Sequence, residues 1–246
     1  MSAPEVHVEA DAGSLARAVA QRLVDQLVTA QAEHGAAGVV LTGGGIGTAV
    51  LREVAAVSAG RPELDWGRVD VWWGDERWVP AVDDDRNEKG AREALLDVVG
   101  VPADRVHAIP ASDAGYDEPE DAADAYAAQL RAAGGGALPR IDVLLLGVGG
   151  EGHVASIFPH SPAVTDERPV VAVRDCPKPP PTRVSLGFGA ITSAEEVWLL
   201  VSGEAKAEAV ARALSGGETA ATLPAAGAVG RRATRWLLDA DAAGQL

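Results

Sequence analysis

One pattern recurs along this sequence and constrains its fold more than any other: a short apolar run, an abrupt glycine turn, then apolar residues at helical spacing. Gly38-Val39-Val40-Leu41 stops in Thr42-Gly43-Gly44-Gly45-Ile46-Gly47-Thr48, after which Val50, Leu51, Val54 and Ala55 resume at helical steps. Val69 to Trp73 precede Gly74-Asp75-Glu76-Arg77, with a helix expected over Asn87 to Val99. Ile141 to Leu146 lead into Gly147-Val148-Gly149-Gly150-Glu151-Gly152, and Glu196 to Val201 lead into Ser202-Gly203-Glu204 and a helix ending at Leu214. Uninterrupted apolar runs mark strands covered on both faces, and their alternation with helices builds a parallel sheet. The expected fold is α/β: a doubly wound, Rossmann-like, mostly parallel sheet with helices on both faces. Residues 14 to 34 form a first amphipathic helix, with Leu15, Val19, Leu23 and Leu27 at four-residue steps and Asp11 or Ser14 as its cap. Trp236-Leu237-Leu238 add a last strand or short helix.

Composition narrows what such a sheet serves. An apolar content of 47% over 246 residues supports one large core, and no Ser/Gly/Pro linker divides the chain, so a single domain over 1–246 is expected. The Pro-rich stretch Cys176 to Thr182 is short enough to be an ordered loop between strands. With 21 basic against 36 acidic side chains, the net charge of −15 argues against nucleic acid as a partner, since counterion release requires a basic face. Cys176 is the one cysteine, so no intramolecular disulfide or CxxC motif exists. His7, His34, His107, His153 and His160 form no HxxxH pair or Cys/His cluster, and no metal site is expected. The first residues lack a basic-then-apolar leader and no membrane-length apolar run occurs, so a cytoplasmic protein without a membrane partner is expected. Its oligomeric state is left open between monomer and weak dimer.

In an open parallel sheet the ligand crevice lies beyond the carboxyl ends of the strands, where every glycine turn named above sits. Thr42, Gly43, Gly44 and Gly45 place unhindered backbone amides at a helix start, where the dipole favours a phosphate. No Lys-Ser/Thr follows at Walker spacing. Gly147 to Gly152 match G-x-G-x-x-G, but Pro159 and Pro162 would break the helix that must carry a pyrophosphate, which argues against a dinucleotide. His153 follows this turn two residues after Glu151, and a carboxylate beside an imidazole orients it and raises its basicity. Trp72, Trp73 and Trp78 read as packing residues around a strand end.

These residues resemble a known family. Gly147-Val148-Gly149-Gly150-Glu151-Gly152-His153-Val154-Ala155-Ser156-Ile157-Phe158-Pro159 is similar to the G-x-G-x-D-G-H-T-A-S-L-F-P signature of 6-phosphogluconolactonases. Trp73-Gly74-Asp75-Glu76-Arg77-Trp78-Val79-Pro80 with Asp85-Arg86-Asn87, Lys178-Pro179-Pro180 with Arg183-Val184-Ser185, and Val201-Ser202-Gly203 with Lys206-Ala207 resemble three further motifs of that family in the same order. Two positions depart from it: Gly45-Ile46-Gly47 replaces the hydroxyl and proline usual in the first loop, and Glu151 replaces aspartate.

The resemblance implies the fold of glucosamine-6-phosphate deaminases and hydrolysis of 6-phospho-D-glucono-1,5-lactone to 6-phosphogluconate in the oxidative pentose phosphate pathway, without a cofactor. It implies His153 as the base that activates water, Glu151 as its orienting carboxylate, Arg77 on the substrate's charge and Asp75 on Arg77 or a sugar hydroxyl. Lys178 and Arg183 would clamp the phosphate together with the Gly43 to Gly45 amides. Two alternatives are a glucosamine-6-phosphate deaminase or isomerase, disfavoured by the missing Asn-Glu-Pro after Gly-His, and a non-catalytic sugar-phosphate sensor, disfavoured by the lack of a basic helix-turn-helix.

Overall fold

The structure, a computed structural model, describes residues 3–246. Strand β1 (Glu5–Glu9) leads into helix α1 (Ala12–His34), followed by β2 (Ala37–Leu41), α2 (Gly44–Ser58), β3 (Val69–Trp73) and β4 (Asp75–Arg77). Next come α3 (Asn87–Ala91) and α4 (Asp97–Val99), joined by a π-helical turn into one continuous helix, then α5 (Pro119–Ala133) and β5 (Val143–Gly147). The remainder is β6 (Val170–Val173), β7 (Arg183–Leu186), α6 (Phe188–Ile191), β8 (Glu196–Val201), α7 (Ala207–Leu214), α8 (Pro224–Gly227) and β9 (Ala233–Asp239).

Six strands form a parallel sheet in the order β1-β9-β8-β5-β2-β3. β2, β5 and β8 are the expected apolar runs and are buried almost throughout, as strands covered on both faces must be. Asp11 is the cap of α1, its carboxylate accepting from the Ser14 amide at 2.7 Å. The tail is strand β9, which pairs with β8 on one side and β1 on the other. Strand β1, which has no continuous apolar run, emerges only through that pairing; Val6 and Val8 on this edge are exposed.

A second sheet, antiparallel and ordered β4-β7-β6, is the main addition to the expected fold. The stretch expected to be a turn after β3 is instead a crossing between sheets. Gly74 donates to Leu41 O of β2 and accepts from the Leu186 amide of β7, so one residue belongs to both hydrogen-bond systems and Asp75–Arg77 continue as β4. Tyr126 of α5 closes the free side of β3: its hydroxyl accepts from the Trp73 amide at 2.9 Å and donates to Trp73 O at 3.2 Å. Trp72 and Trp73 are core residues, and Trp72 stacks on His107 with 3.9 Å between centroids.

From β2 the chain moves outward to β3, whereas β5 lies on the other side of β2 and continues to β8 and β9. The winding therefore reverses between β2 and β5. At this point the Thr42 hydroxyl accepts from the Gly147 amide at 3.3 Å, tying the two glycine turns together at the position where an α/β sheet opens a crevice.

Candidate active site

A cavity of about 570 Å³ opens at this reversal. Asp75, Arg77, His153, Arg183, Thr42 and Gly43 to Gly45 all line it, together with Asn87, Ser202 and Lys206. Residues up to 164 positions apart in sequence, Thr42 and Lys206, meet here because the strand ends that carry them converge. Lys178 and Glu151 are not lining residues; Lys178 Nζ lies 2.9 Å from Glu151 Oε2.

His153 is presented by a compact loop rather than by the helix that a dinucleotide site would require. Its carbonyl accepts from the Gly149 amide at 3.0 Å, and Val154 and Ile157 exchange backbone hydrogen bonds in a tight turn. The imidazole Nδ1 lies 3.2 Å from Glu151 Oε1, without hydrogen-bond alignment, and the ring stacks on Phe158 with 4.4 Å between centroids. Gly149 is required by this packing: a Cβ there would overlap His153 Nδ1 and Cε1 and stand 2.7 Å from Glu151 Oε2. Burial lowers the His153 pKa, and the positive Lys178 adds to the shift, against the opposing pull of Glu151 and Asp75. For Glu151, burial acts upward, but its own backbone amide, Lys178 and His153 outweigh it and hold the carboxyl below its usual range. At neutral pH this leaves an uncharged imidazole beside a carboxylate.

Helix α2 begins at the cavity with no side chain capping its first amides. Such an end favours an anion through both its free N–H groups and the helix dipole. Arg183 is buried and largely occupied with shaping the Lys-Pro-Pro loop: Nε donates to Pro180 O at 3.0 Å and Nη2 to Lys178 O at 3.1 Å. Its Nη1 faces Asp75 Oδ2 at 3.9 Å. Arg77 donates through Nη1 to Asp85 O, and among the described residues no hydrogen bond or ion pair joins it to Asp75. On the far wall, Asp239 accepts from the Ser202 hydroxyl at 2.5 Å and the Gly203 amide at 3.0 Å, securing the turn that carries Lys206 into the cavity.

Asn87, Ser202 and Lys206 were absent from the candidate residues although each lies in a motif quoted above. Asn87 begins α3, where the buried Glu76 carboxylate accepts from the Asn87 and Glu88 amides, both at 2.8 Å. Its side chain donates to Asp75 O at 3.0 Å and occupies the space a Cβ would need at Gly43. The usable signal was the glycine itself, since Gly43 leaves room for a side chain distant in sequence. Ala12 and Gly13, which line the cavity from the start of α1, carried no such signal.

Fold and site together define an α/β enzyme with an imidazole–carboxylate pair beside an anion-binding helix end. The family model described as glucosamine-6-phosphate isomerases/6-phosphogluconolactonase matches residues 10–236. A 6-phosphogluconolactonase of Streptomyces coelicolor is 52% identical over 99% of this chain and 95% of its own length, and one of Mycobacterium tuberculosis is 49% identical over 98% of both chains. Among solved structures, a 6-phosphogluconolactonase from Trypanosoma brucei superposes with a TM-score of 0.83 at 27% identity, covering 99% of this chain and 98% of that one. A monomeric glucosamine-6-phosphate deaminase, at 20% identity and a TM-score of 0.82, shares the fold over 98% of this chain and 100% of its own. The chain belongs to the glucosamine-6-phosphate isomerase/6-phosphogluconolactonase family.

Proposed function

We propose that this cavity hydrolyses 6-phospho-D-glucono-1,5-lactone to 6-phosphogluconate with His153 as the general base. Identity of about half over nearly the full length with several 6-phosphogluconolactonases supports the lactone hydrolase activity and its place in the pentose phosphate pathway. The observation that carries the residue assignment is the shared lining: one partly buried imidazole, an uncapped helix end and three cationic side chains face a single space.

With Nδ1 toward Glu151, the Nε2 atom is left for water. It takes a proton as the water oxygen bonds to C1 of the lactone, and the imidazolium returns that proton to the ring oxygen as the C1–O bond breaks. Glu151 orients the ring and stabilises its transient charge. The phosphate is assigned to the α2 amides with Lys206 and Arg183, and the developing oxyanion to Arg77. Lys178, already engaged by Glu151, acts on the imidazole's acidity rather than on the phosphate. Asp75 takes a sugar hydroxyl. We assign the chain to a single domain over 1–246 working in the cytoplasm; separately, no helix among the described residues is long and apolar enough to cross a membrane.

The test is lactone hydrolysis with spontaneous opening subtracted. Wild-type protein should exceed the buffer rate, and His153→Ala should lose about 10²–10⁴-fold in kcat, the usual worth of general-base catalysis. Undiminished turnover in His153→Ala would exclude it as the base.

A further inference from the structure

The turn that carries His153 also reaches Asp75, which lines the same cavity. Ser156 is completely buried, and its hydroxyl donates to Asp75 Oδ2 at 2.6 Å across 81 positions of sequence. Its amide donates to the Ser185 hydroxyl at 3.2 Å. Ser185 is the residue registered opposite Asp75 in the antiparallel sheet, and its hydroxyl donates in turn to Leu186 O at 3.0 Å. Ser156 thus grips a single rung of the second sheet with both its amide and its side chain.

The backbone departs from its ordinary range where this grip is made. Ala155, between His153 and Ser156 and itself part of the cavity wall, has φ +49°, a left-handed conformation that L-residues rarely adopt. Strain of this kind persists only where surrounding contacts over-determine the geometry. Here the Val154–Ile157 backbone pair holds the turn from one side and the Ser156 contacts hold it from the other.

Asp75 is divided by this arrangement. Oδ2 is occupied by Ser156 and faces Arg183 Nη1 at 3.9 Å, whereas Oδ1 has no hydrogen-bond partner among the described residues. An ionised carboxylate accepts hydrogen bonds only, so its free oxygen receives donors such as a ring hydroxyl.

We propose that Ser156 is a positioning residue for the lactone reaction: its hydrogen bond locks Asp75 to the His153 turn, so that the hydroxyl-accepting oxygen and the imidazole are held at one fixed separation. Ser156 touches no substrate and acts through Asp75. This inference rests on the lactone-hydrolysing reading of the cavity. It explains why a residue three positions beyond the base is a serine although its sequence neighbours Val154, Ile157 and Phe158 are apolar and buried.

The experiment is a double-mutant cycle on the full chain, measuring kcat, KM, 6-phosphogluconate affinity and melting temperature for wild type, Ser156→Ala, Asp75→Asn and the double variant. Ser156→Ala should lower kcat about tenfold or more, the scale expected when a reacting group is misplaced by a fraction of an ångström to an ångström. Product affinity should change by less than about threefold, because among the described residues the α2 amides and Lys206 make no hydrogen bond or ion pair with Ser156 or the Asp75 carboxylate and only Arg183, which faces the same Asp75 oxygen, is affected. In the Asp75→Asn background the serine substitution should cost no further kcat, since the oxygen it holds is already altered. Ser156→Cys, close in size but a weaker donor, should fall between serine and alanine. Losses that multiply across the two positions, or a wild-type kcat in Ser156→Ala with only a lower melting temperature, would overturn the positioning role and leave Ser156 as packing. An inactive wild type would instead refute the lactonase reading on which the cycle depends.

Discussion

Replacing Gly149 with alanine tests the site through a single methyl group that touches no substrate in the proposed mechanism. Its φ lies outside the left-handed region, so alanine meets none of the strain of that region there, and the effect is read from where Cβ lands. That position overlaps two ring atoms of His153 and sits 2.7 Å from Glu151 Oε2, well inside contact distance for both members of the pair. The imidazole is stacked on Phe158 at 4.4 Å, so relief requires the ring to retreat by about 1 Å or more from its place beside Glu151. A displacement of that size costs on the order of 100-fold in rate. The expected result is therefore a roughly 100-fold loss of kcat, about 2.7 kcal/mol of transition-state stabilisation, with KM and 6-phosphogluconate affinity nearly unchanged. Lactone hydrolysis measured against the spontaneous background gives the first quantity, and calorimetric titration of the product gives the last. Gly189→Ala, where the added methyl meets nothing within 4 Å, is the control and should leave both intact. Wild-type kcat in Gly149→Ala would mean that the position of His153 is not critical, and the general-base assignment would fall with it.

Three further outcomes are expected. The His153 imidazole, followed by NMR, should titrate below 6.5 because burial disfavours its charged form; the active neutral base is thus lost only as pH falls through that lowered value, Glu151→Gln should lower it further and Lys178→Ala should raise it, whereas a midpoint at or above 6.5 would contradict the site's electrostatics. Lys206→Ala should weaken 6-phosphogluconate binding by about tenfold while Lys178→Ala changes it less than about threefold; the reverse order would return the phosphate to the Lys-Pro-Pro loop. Glu76→Gln should destabilise the protein by about 3 kcal/mol, roughly 6–12 °C in Tm, since it leaves buried Arg86 without one of its two carboxylates and puts an amide among three backbone donors; thermal unfolding within 2 °C of wild type would show that Glu76 is not what anchors α3.

Why some site residues could be found in the sequence and others could not has a physical basis. His153, Glu151, Asp75 and Arg77 lie immediately after apolar runs, and a parallel sheet presents the ends of such runs on one side. Lys206 and Asn87 lie within helices or turns whose direction depends on buried carboxylates, Asp239 for the first and Glu76 for the second. Nothing local marks either as facing the cavity. Lys178 illustrates the converse: its sequence context fits a phosphate clamp, and only the loop geometry shaped by Arg183 shows its ammonium against Glu151.

By itself the sequence determined the parallel sheet, because burial on both faces demands uninterrupted apolar strands, and it determined where chemistry would gather, because glycine turns end those strands. Only the tertiary structure decided the second sheet and what it controls. Asp75–Arg77 and Arg183–Leu186 pair across more than 100 positions, and no local periodicity announces a contact of that range. That pairing sets Asp75 opposite Ser185, brings Ser156 onto the same rung, and so fixes how one wall of the cavity faces the imidazole on the other. The identity of the groups proposed to react is written locally, while their separation is a property of the packed chain.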